Sequence, residues 1–131
     1  MTRQLINPEG IHPAPGFSHV AIADGSTVVH FAGQVALDAQ FNVVGGDDLE
    51  EQTKAAMRNL GVAIEAAGVG WDDIVRRTIY TLHPTQYEAI TRGIEEITGK
   101  TDHPAQTIVG VTGLAIPGLL IEIECTAVLS R

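Results

Sequence analysis

The sequence predicts an α+β domain in which two helices cover one face of a mixed β-sheet. Three observations carry the prediction. Apolar residues recur at a strand-like period in some stretches and at helical steps of three and four in others, in the order ββ, α, β, α, ββ. The chain has 131 residues, 44% of them apolar, so about two-thirds of its surface can be buried and residues 1–131 are expected to form a single domain. Its one cysteine rules out an internal disulfide, and a core of this size needs no staple.

Residues 1 to 17 are expected to form an irregular arm, rich in Pro and Gly, that packs on the body or on a neighbour. Strands are predicted from His19 to Ala23 and from Thr27 to Val35, and Asp24-Gly25 between them is a two-residue hairpin signal, so the pair is expected to be antiparallel. The run from Thr27 to Val35 is almost continuously apolar, the pattern of a strand covered on both faces. Leu49, Thr53, Ala56, Met57, Leu60 and Ile64 then mark a helix over about 48 to 67. Asp47 and Asp48 are its N-cap candidates, each followed three residues later by a glutamate, and Gly68 supplies the stop.

Trp71-Asp72-Asp73 forms a short turn ahead of a strand from Val75 to Leu82. Thr85 and Glu88 match a capping box for a second helix, whose stripe is Tyr87, Ile90, Ile94 and Ile97 and whose stop is Gly99, reinforced by Pro104. Strands from Gln106 to Thr112 and from Leu119 to Leu129 finish the chain. In the last, Ile121, Ile123, Cys125, Ala127 and Leu129 share one face, and Leu120, Glu122, Glu124, Thr126 and Val128 share the other. Two helices cannot cover both sides of such a sheet. The apolar residues offered to the open side predict a homo-oligomer.

The formal charge of -8 and the presence of only two lysines argue against nucleic acid as a partner, since phosphate recognition needs clustered cations and the only adjacent basic pair is Arg76-Arg77. Residues 1 to 16 hold three prolines and no apolar run of seven, so neither a secretion signal nor a membrane anchor is expected. A lone cysteine fits a reducing, cytoplasmic setting. The five histidines show no HxH or HExxH spacing and there is no CxxC, so no metal is expected, and Gly45-Gly46 lacks the lysine of a phosphate loop.

Gly33-Gln34 ending the second strand, Asn59 and Ala66-Ala67-Gly68 on the first helix, Asp73-Ile74-Val75 with Thr78, and His103-Pro104-Ala105 ahead of Ile121-Glu122-Ile123-Glu124 together resemble the Rid family, the YjgF-like imine and enamine deaminases. The likeness runs in order from about Phe17 to Val128. It implies a chorismate-mutase-like subunit, a homotrimer with clefts between subunits, and cofactor-independent hydrolysis of 2-aminoacrylate-type enamines and imines. The glutamate that orients the attacking water in the family is retained as Glu122, the catalytic residue the resemblance implies. The arginine that follows the Pro-Ala pair and holds the substrate carboxylate is Gln106 here. The early tyrosine is Phe17, the serine before Gly33 is Ala32, and the asparagine of the second helix is Thr91. The implied substrate-binding set is therefore Phe17, Gly33, Thr91 and Gln106.

Losing a bidentate guanidinium partner costs about 1.5 to 3 kcal/mol, roughly 10- to 150-fold in affinity. Conventional 2-imino-acid deamination is accordingly expected to be altered or absent, and an uncharged or cationic carbonyl-like ligand is expected. The alternative is a non-catalytic ligand-binding or regulatory homotrimer. Glu122 and Glu124 lie roughly 7 Å apart on one strand face, which suits an acid and base pair or simply a solvated face. Arg92, beside Thr91, either reaches the cleft or faces solvent. His19, two residues after Phe17, could bring a titratable group to the cleft rim, and Cys125 is expected to be a buried, inert thiol.

Overall fold

Residues 3–131 are described in a computed structural model of the chain. Among them are strands β1 (Gln4–Ile6), β2 (Val20–Ile22) and β3 (Thr27–Val35), helix α1 (Leu49–Ala66), β4 (Ile74–Thr81), helix α2 (Tyr87–Thr98), β5 (Ala105–Gly110) and β6 (Ile121–Leu129). The main sheet has four strands in the order β3-β6-β4-β5. Strand β6 runs antiparallel to both β3 and β4, whereas β4 and β5 are parallel, so the sheet is mixed. Both helices lie on one of its faces, the α+β architecture that the periodicities predict.

The core lies between that face and the helices. Met57, Leu60 and Ile64 from α1, Ile90 and Ile94 from α2, and Ile79, Ile121, Ile123 and Ala127 from the sheet are at most 3% exposed. Each large aliphatic side chain so buried contributes about 1.5 to 3 kcal/mol. Close helix contact comes from Gly93, where an added Cβ would stand 2.9 Å from the Thr53 side chain. Gln52 is fully buried and satisfied three ways: Nε2 donates to the Gly46 and Gly118 carbonyls at 2.8 and 2.9 Å, and Oε1 accepts the Leu120 amide at 2.9 Å. Asn59 donates to the carbonyls of Val35 and Leu37 at 2.8 and 3.0 Å, tying α1 to the chain leaving β3.

The ends of α1 follow the sequence. Asp48 Oδ1 accepts the Glu51 amide at 3.1 Å, and Gly68 takes a left-handed φ of 70° just past the helix. The start of α2 does not. Its N-cap is Gln86 with no side-chain bond, and Thr85 sits one residue too early in the Pro84-Thr85 turn for a capping box with Glu88.

Two further expectations are corrected at the N-terminal end. The arm is partly regular, because Gln4–Ile6 forms β1; its residues 1 and 2 lie outside the described part. The predicted hairpin is absent, because β2 pairs antiparallel with β1 while β3 pairs with β6. Gly25 has a different purpose from the turn it suggests: its φ is not left-handed, and a Cβ there would stand 2.6 Å from the Leu129 carbonyl oxygen of β6. The glycine is required for close strand approach.

Strand β3 covers only one face in a single chain. Val29 and Phe31 turn towards the helices, while Val28 is 56% exposed and His30 and Ala32 are exposed on the other side. That open face also carries Arg76, Thr78, Tyr80, Glu122, Glu124 and Thr126, by alternation along β4 and β6.

Candidate functional site

The arm is fixed to the body by its backbone. The Ser18 amide donates to the Pro104 carbonyl at 3.0 Å and its hydroxyl to the His103 carbonyl at 2.6 Å, so the arm runs beside the start of β5. Gly16, with a φ of 77°, passes so close to Thr91 that a Cβ would collide with the threonine side chain. This path leaves a cleft of about 470 Å³ walled by His12, Pro13 and Phe17 of the arm, Tyr87 and Thr91 of α2, and Gln106 and Ile108 of β5. Three of the sequence-predicted residues, Phe17, Thr91 and Gln106, therefore meet in one place. Thr91 donates its hydroxyl to the Tyr87 carbonyl at 2.9 Å. His19 stands edge-on to Phe17 with ring centroids 5.3 Å apart, and its Nε2 lies 2.8 Å from the His12 carbonyl oxygen.

Gly33 and Glu122 are elsewhere. Strand β3 gains one residue relative to β6 between Phe31 and Gln34, a bulge that contains Ala32 and Gly33. The Glu122 side chain fills the space beside Gly33, where a Cβ would collide with its carboxylate. In register, Glu122 opposes Tyr80 across β4, while Gln106 opposes Arg77. Tyr80 and Arg77 are three residues apart and so face opposite ways. Gln106 and Glu122 thus lie on opposite faces of the sheet, about 14 Å apart along the backbone, with β4 between them.

Behind Gln106 lies a buried polar chain. Arg77, 4% exposed, donates from Nε to Gln106 Oε1 at 2.5 Å and from Nη2 to the Gly16 carbonyl at 3.3 Å. Nη2 also lies 3.0 Å from His103 Nδ1, and His103 Nε2 lies 2.7 Å from Glu95 Oε2. Because guanidinium only donates, His103 Nδ1 must accept, which places the imidazole proton on Nε2 towards Glu95. Burial lowers the Arg77 pKa to about 9, leaving it cationic at neutral pH. Burial, outweighing the pull of Glu95, also lowers His103 and keeps it neutral.

Sequence reasoning missed Arg77, His12 and Tyr87 as neighbours of the cleft. Arg77 carried a signal: its alternation with Val75, Ile79 and Thr81 puts it on the inward face, where an unpaired arginine would be costly. Arg76 points the other way and donates to Thr107 Oγ1 at 2.7 Å, so the two arginines form no joint clamp. Arg92 pairs with Glu50 at 3.0 Å, its side chain 60% exposed, and does not line the cleft. Glu124 neighbours Tyr80 and raises its phenol. Cys125 is buried, which pushes its thiol up to about 12. Among the described residues no three His, Cys, Asp or Glu side chains gather as a metal cage, and no helix is long and apolar enough to cross a membrane.

Residues 8–129 match the family model described as Endoribonuclease L-PSP. A RutC family protein of Synechocystis is 34% identical over 131 residues, with 98% of each chain covered. A crystal structure of a Yersinia pestis protein of unknown function from the Rid family is 40% identical, with a TM-score of 0.90 over 98% of this chain and 100% of that one. A Mycobacterium tuberculosis member of the YjgF/YER057c/UK114 family is 29% identical, with a TM-score of 0.65 over 98% and 100% of the two chains.

Proposed function

The chain belongs to the Endoribonuclease L-PSP family, the YjgF or Rid family that its motifs resemble, and from that premise we propose that it is a homotrimer whose intersubunit clefts take a small carbonyl- or imine-type metabolite. One observation carries this reading: Phe17, Thr91 and Gln106 line a cleft on one side of the sheet, while Gly33 and Glu122 lie on its opposite, open face. A complete site then needs the cleft of one copy and the open face of another. The proposal treats residues 1–131 as one domain in a cytoplasmic protein that uses no cofactor or metal and binds neither nucleic acid nor membrane.

The chemistry is hydrolysis of an imine or enamine. Glu122 accepts a proton from a water molecule as the water oxygen bonds to the imine carbon and the C=N π electrons move to nitrogen. Returning that proton to nitrogen gives a carbinolamine; Glu122 then carries the hydroxyl proton to the amine as the C–N bond breaks, so that ammonia leaves and a carbonyl remains. Gln106 donates to the ligand from the cleft side, and Phe17 and Thr91 wall it. Glycine at position 33, on the bulge, has no side chain to displace Glu122.

With glutamine in the family's arginine position, turnover of 2-iminopropionate is expected to be at least about tenfold below that of an arginine-bearing relative. A coupled hydrolysis assay checks this, and Glu122→Ala should abolish whatever rate remains. Turnover equal to that of the relative would remove the altered-specificity reading. Substitution at Phe17, Ala32, Thr91 and Gln106 together favours a second reading, a non-catalytic ligand-binding or regulatory trimer, which predicts identical rates with and without Glu122. An endoribonuclease role, which the family's description names, fits poorly with a net charge of -8 and no basic cluster.

A further inference from the structure

We propose that Arg77 is a positioning residue that locks Gln106 with its amide N–H groups towards the cleft, so that this end of the cleft selects a hydrogen-bond-accepting oxygen on the ligand, a carboxylate first, and rejects a donor-only cation. The inference rests on the reading of the Phe17, Thr91 and Gln106 cleft as a ligand site and adds what that site discriminates.

A glutamine amide can present its oxygen or its nitrogen in either direction, and only its partners fix the choice. Guanidinium has five donors and no acceptor. With Arg77 Nε 2.5 Å from the Gln106 amide, the contacting atom must be Oε1; the flipped amide would set N–H against N–H and strip a buried guanidinium of an acceptor. Arg77 cannot turn away to relieve this, because its Nη2 is held by the Gly16 carbonyl at 3.3 Å and His103 Nδ1 at 3.0 Å. His103 in turn is held by Glu95 at 2.7 Å. Gln106 Nε2 takes no hydrogen-bond partner among the described residues, and Gln106 lines the cleft. Its two N–H groups are what a ligand meets there.

Charge points the same way. Among the described residues no carboxylate lies within 4.0 Å of the Arg77 guanidinium, and Glu95 is linked to it only through neutral His103. A cation buried in this way favours negative charge on the ligand oxygen that Gln106 binds. The uncharged donor at position 106 alone favours an uncharged or cationic ligand; the Arg77 charge one side chain behind it reverses that expectation. Apart from His12 and Thr91, the rest of the wall, Phe17, Tyr87, Ile108 and three prolines, suits an apolar body.

Benzoate, benzamide and benzamidine share one shape and step from acceptor-only to donor-only, which makes them direct probes, followed by ligand-observed NMR titration of the protein in solution. Wild type should bind benzoate most tightly and benzamidine least, by at least about tenfold. Gln106→Glu keeps a partner for Arg77 but turns a carboxylate oxygen to the cleft, so the order should reverse while the protein stays folded. Arg77→Gln should bring benzoate and benzamidine within about threefold, and Arg77→Lys, which restores a donor and a charge, should recover the preference. Should Arg77→Gln fail to fold, the reversal in Gln106→Glu decides alone. Binding of all three probes without preference, or a benzoate preference that survives Arg77→Gln or Gln106→Glu, overturns the role of Arg77. No binding by any probe overturns the cleft itself as a ligand site, and the inference with it.

Discussion

Gly33 and Glu122 show how one residue's missing atom can be another's function. A Cβ at Gly33 would fall on the Glu122 side chain, and Gly33 has no left-handed φ, so the constraint is space and not backbone conformation. Gly33→Ala should therefore change stability by less than about 1 kcal/mol, because the flexible carboxylate can swing away, yet hydrolysis should fall as far as in Glu122→Ala. Denaturant midpoints and rates measured on the same preparations separate this from simple destabilisation. A variant retaining full rate would show that Glu122 acts from another position. Glu122 was legible in the sequence only through the family motif. Its partnership with Gly33 depends on the β3 bulge, which no local pattern announces.

Among the elements, α1 is predicted to within one residue because stripe, caps and stop agree along the chain. The Asp24-Gly25 hairpin fails for the opposite reason: a long-range contact with Leu129 uses the glycine that local rules assign to a turn. Strands β4 and β5 hold the polar chain from Gln106 to Glu95, and their parallel pairing hides it from sequence, since Arg77 and Gln106 become neighbours only across the α2 crossover. That chain has a pH signature. His103 is held neutral, below the usual histidine value of 6.5, so on acidification the unfolded chain takes up a proton that the folded one resists. Stability from this residue is complete above 6.5 and is lost as pH falls towards the lowered folded value. His103→Asn keeps an acceptor for Arg77 and removes the titration. Its urea midpoint should fall less than wild type's between about pH 7.5 and about pH 5.5, and equal losses would assign the acid sensitivity to other groups.

At the scale of the whole molecule, the sheet has a covered face and an open one. The near-continuous apolar run of β3 fits a strand buried on both sides, yet in one chain Val28 is 56% exposed and its neighbours on the open face are mostly polar. The run is explained if a second copy covers it, and the same contact would bring Glu122 of one subunit to the Gln106 cleft of the next. Composition predicts a partner surface but could not divide the candidate residues between two faces, because that division is set by strand order. The native mass in dilute solution tests the account most directly. It predicts a species of three chains of 13.9 kDa each, dissociated by Val28→Glu, which places a charge on the shared face. A single 13.9 kDa species that still binds ligand would contradict it, since Gln106 and Glu122 of one chain cannot meet through their own sheet.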